Sequence, residues 1–169
     1  MDKTGKIDDI DRKILSILME NSNTSYSVIA KQLFVSSGTV HVRMTKLKEM
    51  GIVKGANLII DHTKLGYDVV AFLGVYLEKS SLYDDVSERL KMIPEIVSAH
   101  YTTGNYGIFV KIICKDTLHL RTVLHDKIQR ISGIQRTETM ISLEESINRP
   151  LTLKAVSYTH LRAHETKAN

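Results

Sequence analysis

Gly38, His41, Val42 and Thr45 lie close together in the stretch SSGTVHVRMTKLKEMG. On a helix they fall on one side, which is small, uncharged and able to hydrogen-bond. Imidazole and hydroxyl groups can donate to and accept from base edges, valine suits a thymine methyl, and glycine lets a backbone approach closely. Val40, Met44 and Leu47 recur on the other side and ask for burial. A merely solvated face would carry more Lys and Glu. The chain offers little else that reacts. His100, His119 and His125 form no motif with a nucleophile or carboxylate, so catalysis is not expected. Cys114 is the single cysteine and falls in a predicted strand, where it reads as a small buried apolar group. It cannot form an internal disulfide, and no Cys–His zinc spacing is present. Neither a metal nor a cofactor is expected, and a reducing cytoplasm fits.

The distribution of charge points the same way. Of the 169 residues, 1–66 hold ten Lys/Arg and seven Asp/Glu, whereas 67–150 hold ten and eleven. Lys31, Arg43, Lys46, Lys48 and Lys54 surround the two-faced segment against Glu49 alone. A polyanion partner is expected for the first part of the chain and not for the second. No apolar run is long enough to cross a bilayer. The charged start MDKTGKIDDIDRK lacks the apolar centre of an export signal.

Elements must hold the two-faced segment in place. DDIDRKILSILMENS carries Ile10, Ile14, Ile17 and Leu18 at helical spacing, and TSYSVIAKQLF turns Ile29, Ala30 and Leu33 inward with Ser25 as N-cap. Ser36 or Ser37 caps the third helix, and Gly51 ends it. Three short helices with a tight turn before the third make a helix-turn-helix, whose third helix enters the major groove of double-stranded DNA. The DNA-facing set is Ser36, Ser37, Gly38, Thr39, His41, Val42, Arg43 and Thr45, with Lys46, Lys48 and Lys54 reaching phosphates. GIVKGANLIID then suggests a small hairpin or wing and a connecting strand.

From Tyr67 the pattern changes to strand, helix, strand, strand, helix, strand. Leu82, Val86 and Leu90 face inward on the first of these helices, and Leu120, Leu124 and Ile128 on the second. Gly104-Asn105 signals a two-residue hairpin. The last strand alternates Ile134, Arg136, Glu138 and Met140 against Gln135, Thr137, Thr139 and Ile141. The expected class is α+β: an N-terminal winged helix-turn-helix domain (1–54), a linker strand (55–66) and a ferredoxin-like βαββαβ domain (67–150). Two helices cover only one sheet face, and several strands are apolar on both sides, so self-association is expected. Residues 151–169 fit neither domain. SYTHLRAHET resembles a peptide made by reading through a sequencing adapter, and residues from about Ser157 are taken as non-native.

The stretch IDDIDRKILSILMENSNTSYSVIAKQLFVSSGTVHVR resembles the N-terminal domain of the Lrp/AsnC (feast/famine) transcription factors, and the likeness runs from about Ile7 to Pro150. LGYDV and HYTTGNYGIFVKI resemble most closely the branch that regulates asparagine synthesis. The resemblance implies a homodimer that associates further, often to an octamer, and an amino-acid effector, asparagine first, bound between subunits. It places the effector near Tyr101, Thr102, Thr103, Gly104, Asn105 and Tyr106, with Thr137 and Thr139 closing the site. The chain departs from the family at Phe34, where the turn usually has Gly, at Ser37, where Pro often starts the helix, and at Gly107, where many relatives have Asp. An amino-acid-binding module without a transcriptional role and an RNA-binding protein are the alternatives. The sheet lacks the aromatic-rich motif that stacks RNA bases.

Overall fold

The computed structural model describes residues 7–153, so the segment from Ser157 lies outside the described residues. The chain forms two compact units, one built from residues up to Leu58 together with those from Asn148, the other from Ile59–Ile147. Leu153 packs against the apolar core of the first unit, so the described part of the tail belongs there rather than standing apart.

The first unit contains α1 (Asp9–Glu20), α2 (Tyr26–Leu33) and α3 (Ser37–Glu49). Ile14 and Leu15 from α1, Ile29 and Ala30 from α2, and Val40, Met44 and Leu47 from α3 form its core. Each helix starts on a capping side chain, Asp8, Ser25 and Ser36 respectively, that accepts a hydrogen bond from an otherwise unpaired N–H of the first turn. At the end of α2 the Val35 N–H reaches Ala30 O at 3.0 Å, and the Phe34 N–H reaches Lys31 O at 3.4 Å. This paired ending needs a left-handed residue between them. Phe34 fills that place at φ 54°, with its ring 96% exposed. An aromatic side chain thus pays the steric cost of a glycine position without packing in return. The expected wing does not form in this chain. Residues 53–61 have no strand partner, and Leu58, Ile59 and Ile60 are exposed.

The second unit is the expected ferredoxin-like domain. Its elements are β1 (Val69–Leu77), α4 (Tyr83–Lys91), β2 (Ile96–Tyr101), β3 (Ile108–Cys114), α5 (Thr117–Thr122) and β4 (Ile134–Ile141). The sheet order is β2-β3-β1-β4 with every neighbour antiparallel. Ala71, Leu73 and Val75 of β1 and Ile108, Val110, Ile112 and Cys114 of β3 are buried with Val86, Leu90 and Leu120 from the helices. Burial pushes the Cys114 thiol up to about 11, which keeps it protonated. The alternate residues Val70, Phe72, Tyr76, Phe109 and Ile113 lie on the face that no helix of this unit covers.

Two local details depart from the expected pattern. Gly104-Asn105 does not form a two-residue turn: Tyr101 pairs with Ile108, which leaves residues 102–107 as a longer loop. The Thr102 N–H bonds Gly107 O and its hydroxyl bonds Tyr106 O, so the turn closes on the threonine instead. The second helix changes pitch at Val123–Ile128, a single π turn in which the Gln129 N–H reaches Leu124 O. The wider turn buries Val123 together with Ile128 and leaves Leu124 only partly buried.

Glu95 ties the second helix to the start of β2. Its Oε1 accepts from Lys127 Nζ at 2.6 Å and from His119 Nε2 at 3.1 Å. The Lys115 N–H points at His119 Nδ1, so that nitrogen accepts and Nε2 carries the proton. Burial opposes the Glu95 charge, but Lys127 and His119 outweigh it, and the carboxyl lies below its ordinary value.

Two predictions follow from these strained and buried groups. Phe34→Gly should stabilise the first unit by about 1 kcal/mol, seen as a rise of a few degrees in its thermal midpoint; an unchanged or lower midpoint would show that the left-handed turn carries no strain. Glu95 works in the opposite direction with acid. A carboxylate whose pKa is lower folded than unfolded contributes stability above about pH 4 and loses it as the pH falls through the folded value. Glu95→Gln should therefore cost the second unit about 2 kcal/mol at neutral pH and make its stability flatter in acid, as measured by urea unfolding across that range.

Candidate nucleic-acid interface and effector loop

Along α3, Ser36, Ser37, Gly38, His41, Val42, Thr45, Lys46 and Lys48 are exposed, as is Lys54 beyond the helix, while Val40, Met44 and Leu47 are buried. The uncharged face is therefore free on one side of a helix whose other side is anchored. Several of its hydroxyls already have partners. Ser36 Oγ accepts the Thr39 N–H at 3.0 Å and lies 2.9 Å from Thr39 Oγ1, so this pair starts the helix. Thr45 Oγ1 donates to His41 O at 3.1 Å, which leaves its lone pairs outward as acceptors. The His41 ring lies 6.0 Å from that of Tyr26, which steadies it at the helix surface. Val42 is exposed.

Arg43 departs from the expected DNA-facing set. Its Nη1 donates to Asp8 Oδ2 at 2.6 Å and to Asp11 Oδ1 at 2.8 Å, and its side chain is 26% exposed. Both hydrogens of that nitrogen are used within the protein. Asp11 is the one buried charged residue among those described, at 5% exposure. A groove of about 460 Å³ is lined by these carboxylates and Arg43 together with Gly38, Thr39, Val42 and Lys46. The N-terminal pattern D-x-x-D, with an acid at the cap and another three residues on, was a legible sign of a capping box. Its use as a partner for Arg43 had no local sign.

In the second unit the expected effector residues do not converge within one chain. Thr137 stands opposite Val75 and Thr139 opposite Leu73, so both lie on the helix-covered side of the sheet. Tyr106 takes the other side, where its ring packs on Tyr76 and Phe109. Tyr101, opposite buried Ile108, sits beside Tyr83 at 4.4 Å between ring centroids. Thr103, Gly104 and Asn105 are exposed at the loop tip, and Thr102 is half-buried. Gly104 has φ +109°, a backbone that side chains rarely adopt.

Glu138, opposite Gly74 on β1, was not expected to matter. Its Oε2 accepts from the Tyr106 hydroxyl at 2.8 Å, and its Oε1 accepts from Tyr76 at 3.0 Å and from Arg136 at 2.7 Å. Those donors hold the carboxyl below its ordinary value, Tyr106 foremost. Gly74 makes the arrangement possible, because a Cβ there would meet the Tyr106 ring at 2.4 Å. Alternation along β4 put Glu138 on the right face, but nothing in the sequence paired it with a tyrosine 32 residues away.

Comparison with known proteins agrees with both halves of this arrangement. Residues 7–54 match the winged helix-turn-helix DNA-binding model, and residues 70–152 match the Lrp/AsnC ligand-binding domain. The chain is 46% identical over 145 residues to the regulatory protein AsnC of Haemophilus influenzae, covering 86% of this chain and 97% of that protein. It is 44% identical to AsnC of Escherichia coli strain K12, covering 86% and 95% respectively. The solved structure of the E. coli AsnC superposes with a TM-score of 0.83 at 43% identity, covering 87% of this chain and 99% of that one. These relatives are regulators rather than enzymes, and among the described residues no helix is long and apolar enough to cross a membrane. A helix-turn-helix match joined in one chain to a ligand-binding-domain match, with 46% identity to a regulator covered almost end to end, makes this protein a DNA-binding transcriptional regulator of the Lrp/AsnC family.

Proposed function

We propose that this regulator reads duplex DNA through His41, Val42 and Thr45 of α3, and that asparagine bound between subunits of the second unit modulates that reading in the cytoplasm. The observation that carries the DNA part is the free, uncharged face of α3 set between basic residues. Base-edge contacts discriminate sequence, whereas Lys46, Lys48 and Lys54 serve phosphates and add affinity without discrimination. The apolar side of the sheet that no helix covers, half-buried, with Phe72 and Phe109 stacked at 5.8 Å, supports a homodimer and higher assembly. Thr137 and Thr139 face away from Tyr106, which supports a site that takes its loop from one subunit and its threonines from another. Gly104 exposes N–H groups for a carboxylate, and neutral hydroxyls suit an amide side chain. Glu138 has both oxygens engaged, so no free acid beside Tyr106 favours a cationic effector.

Each half has its own test. His41→Ala should lower the preference for selected over random duplexes, and Lys46→Ala should weaken binding to both and reduce the slope of log affinity against log salt by about one. Equal losses on both duplexes from both variants would overturn the division of roles. For the effector, calorimetric titration with the twenty amino acids should give heat with asparagine, and Thr139→Val should weaken that binding about tenfold through the lost hydroxyl. Gly104→Val should abolish it by forcing the turn out of its φ. No heat and no change in sedimentation with millimolar asparagine would overturn asparagine as effector, whereas binding that both substitutions leave intact would overturn the pocket alone.

A further inference from the structure

Asp8, Asp11 and Arg43 close a ring in which every carboxylate oxygen has a donor. Asp8 Oδ1 accepts the Asp11 N–H at 2.8 Å, and Asp11 Oδ2 accepts the Asp8 N–H at 3.1 Å. The two remaining oxygens, Asp8 Oδ2 and Asp11 Oδ1, take the two bonds from Arg43. The capping box fixes both carboxylates to the start of α1, where the unpaired N–H groups favour negative charge. Arg43 then fixes α3 to that point.

The core that α1 and α3 share, Ile14 and Leu15 with Val40, Met44 and Leu47, is apolar. Such contacts have no preferred direction and tolerate small rotations of a helix. Hydrogen bonds to two carboxylates do not, because turning or sliding α3 breaks both at once. Arg43 follows His41 by two residues and Val42 by one, so it holds the turn of helix that carries the reading face. An ion pair with one buried partner is poor evidence of stabilisation, since apolar residues of similar size often do as well. A directional requirement gives a reason for it here. Two carboxylates near a DNA-facing helix would also repel phosphate unless a cation faced them, and Arg43 supplies that cation.

We propose that Arg43 is a positioning residue for DNA reading: through Asp8 and Asp11 it sets the rotation of α3 that brings His41, Val42 and Thr45 to the base edges. It contacts neither base nor phosphate. The proposal rests on α3 being the reading helix. It explains why a basic residue on that helix turns toward the protein rather than toward DNA.

The test uses the full chain and two duplex probes of equal length, one enriched from a random pool by the wild-type protein and one of random sequence. Affinities for both are measured across a salt series, at temperatures well below the melting of each variant. Asp11→Asn alters a group on α1 that is only 5% exposed, yet it should lower the preference for the enriched duplex about tenfold. Arg43→Met should do the same and leave the salt slope on random duplex unchanged. The double variant Arg43→Met/Asp11→Asn should lose no more preference than the worse single one, because both remove the same bond. Should Asp11→Asn fail to fold, Asp8→Asn, at a half-exposed position, carries the same expectation. Equal weakening of both duplexes by Arg43→Met with a slope reduced by about one would mark a phosphate contact and overturn the proposal. Full preference in Asp11→Asn would overturn it as well. Failure of the wild-type chain to enrich any duplex would overturn DNA reading itself, which separates that failure from an error about Arg43.

Discussion

Turning α3 by one residue, about 100°, would carry Val40, Met44 and Leu47 out of the core and drive His41 and Thr45 into it. The first unit is built around preventing that. Ser36 begins the helix at a fixed residue, the left-handed turn at Phe34 sets where α3 leaves α2, and three apolar side chains set its rotation coarsely. The bonds from Arg43 to Asp8 and Asp11 add direction to a contact that apolar packing leaves loose. Strain at Phe34 and a buried charge at Asp11 are both tolerated in the same small unit, and both serve the placement of one helix.

The second unit obeys a comparable rule with a different period. Antiparallel pairing of Leu73 with Thr139 and of Gly74 with Glu138 decides which side of the sheet each residue serves. Shifting β4 by one residue would exchange the threonines for Glu138 and bury a carboxylate under the helices. Gly74 leaves room for Tyr106, which in turn ties the 102–107 loop to β4 through Glu138. The loop tip is exposed while its root is held.

Much of this was legible from residue spacing because burial is periodic. The three helices, the cap at Ser25 and one at Ser36 or Ser37, the buried set on α3 and the βαββαβ order all follow from the positions of apolar and capping residues. What spacing could not show was any contact between residues far apart in the chain. Arg43 has the composition of a phosphate contact, and only its distance to Asp8 and Asp11 shows that it turns inward. Glu138 likewise reads as an ordinary exposed strand residue until Tyr76 and Tyr106 are seen to meet it. Turn chemistry misled in another way: Gly104-Asn105 matches a tight hairpin, but the Thr102 bonds to Tyr106 and Gly107 stop the ladder earlier. The wing shows the same limit: GIVKGANLIID carries strand-forming residues, but residues 53–61 pair with no strand among the described residues.

Connectivity gives the last constraint. The chain passes between the two units twice, after Leu58 and before Asn148. The first passage leads into β1 and the second leaves β4, and these strands are paired neighbours from Ala71 opposite Ile141 onward, with the Ser142 N–H bonded to Val70 O. Thr137 and Thr139 therefore lie on the strand whose continuation returns to the first unit, where Leu153 packs against its core. A ligand can change DNA binding only by favouring one arrangement of the protein over another, whatever its own affinity. Contacts to the loop tip alone would be made to residues far along the chain from either passage. Under the proposed effector site, contacts to β4 would fall on the strand that the second passage continues, so Thr137 and Thr139, rather than the glycine-bearing loop, would be the ligand contacts nearest along the chain to the first unit.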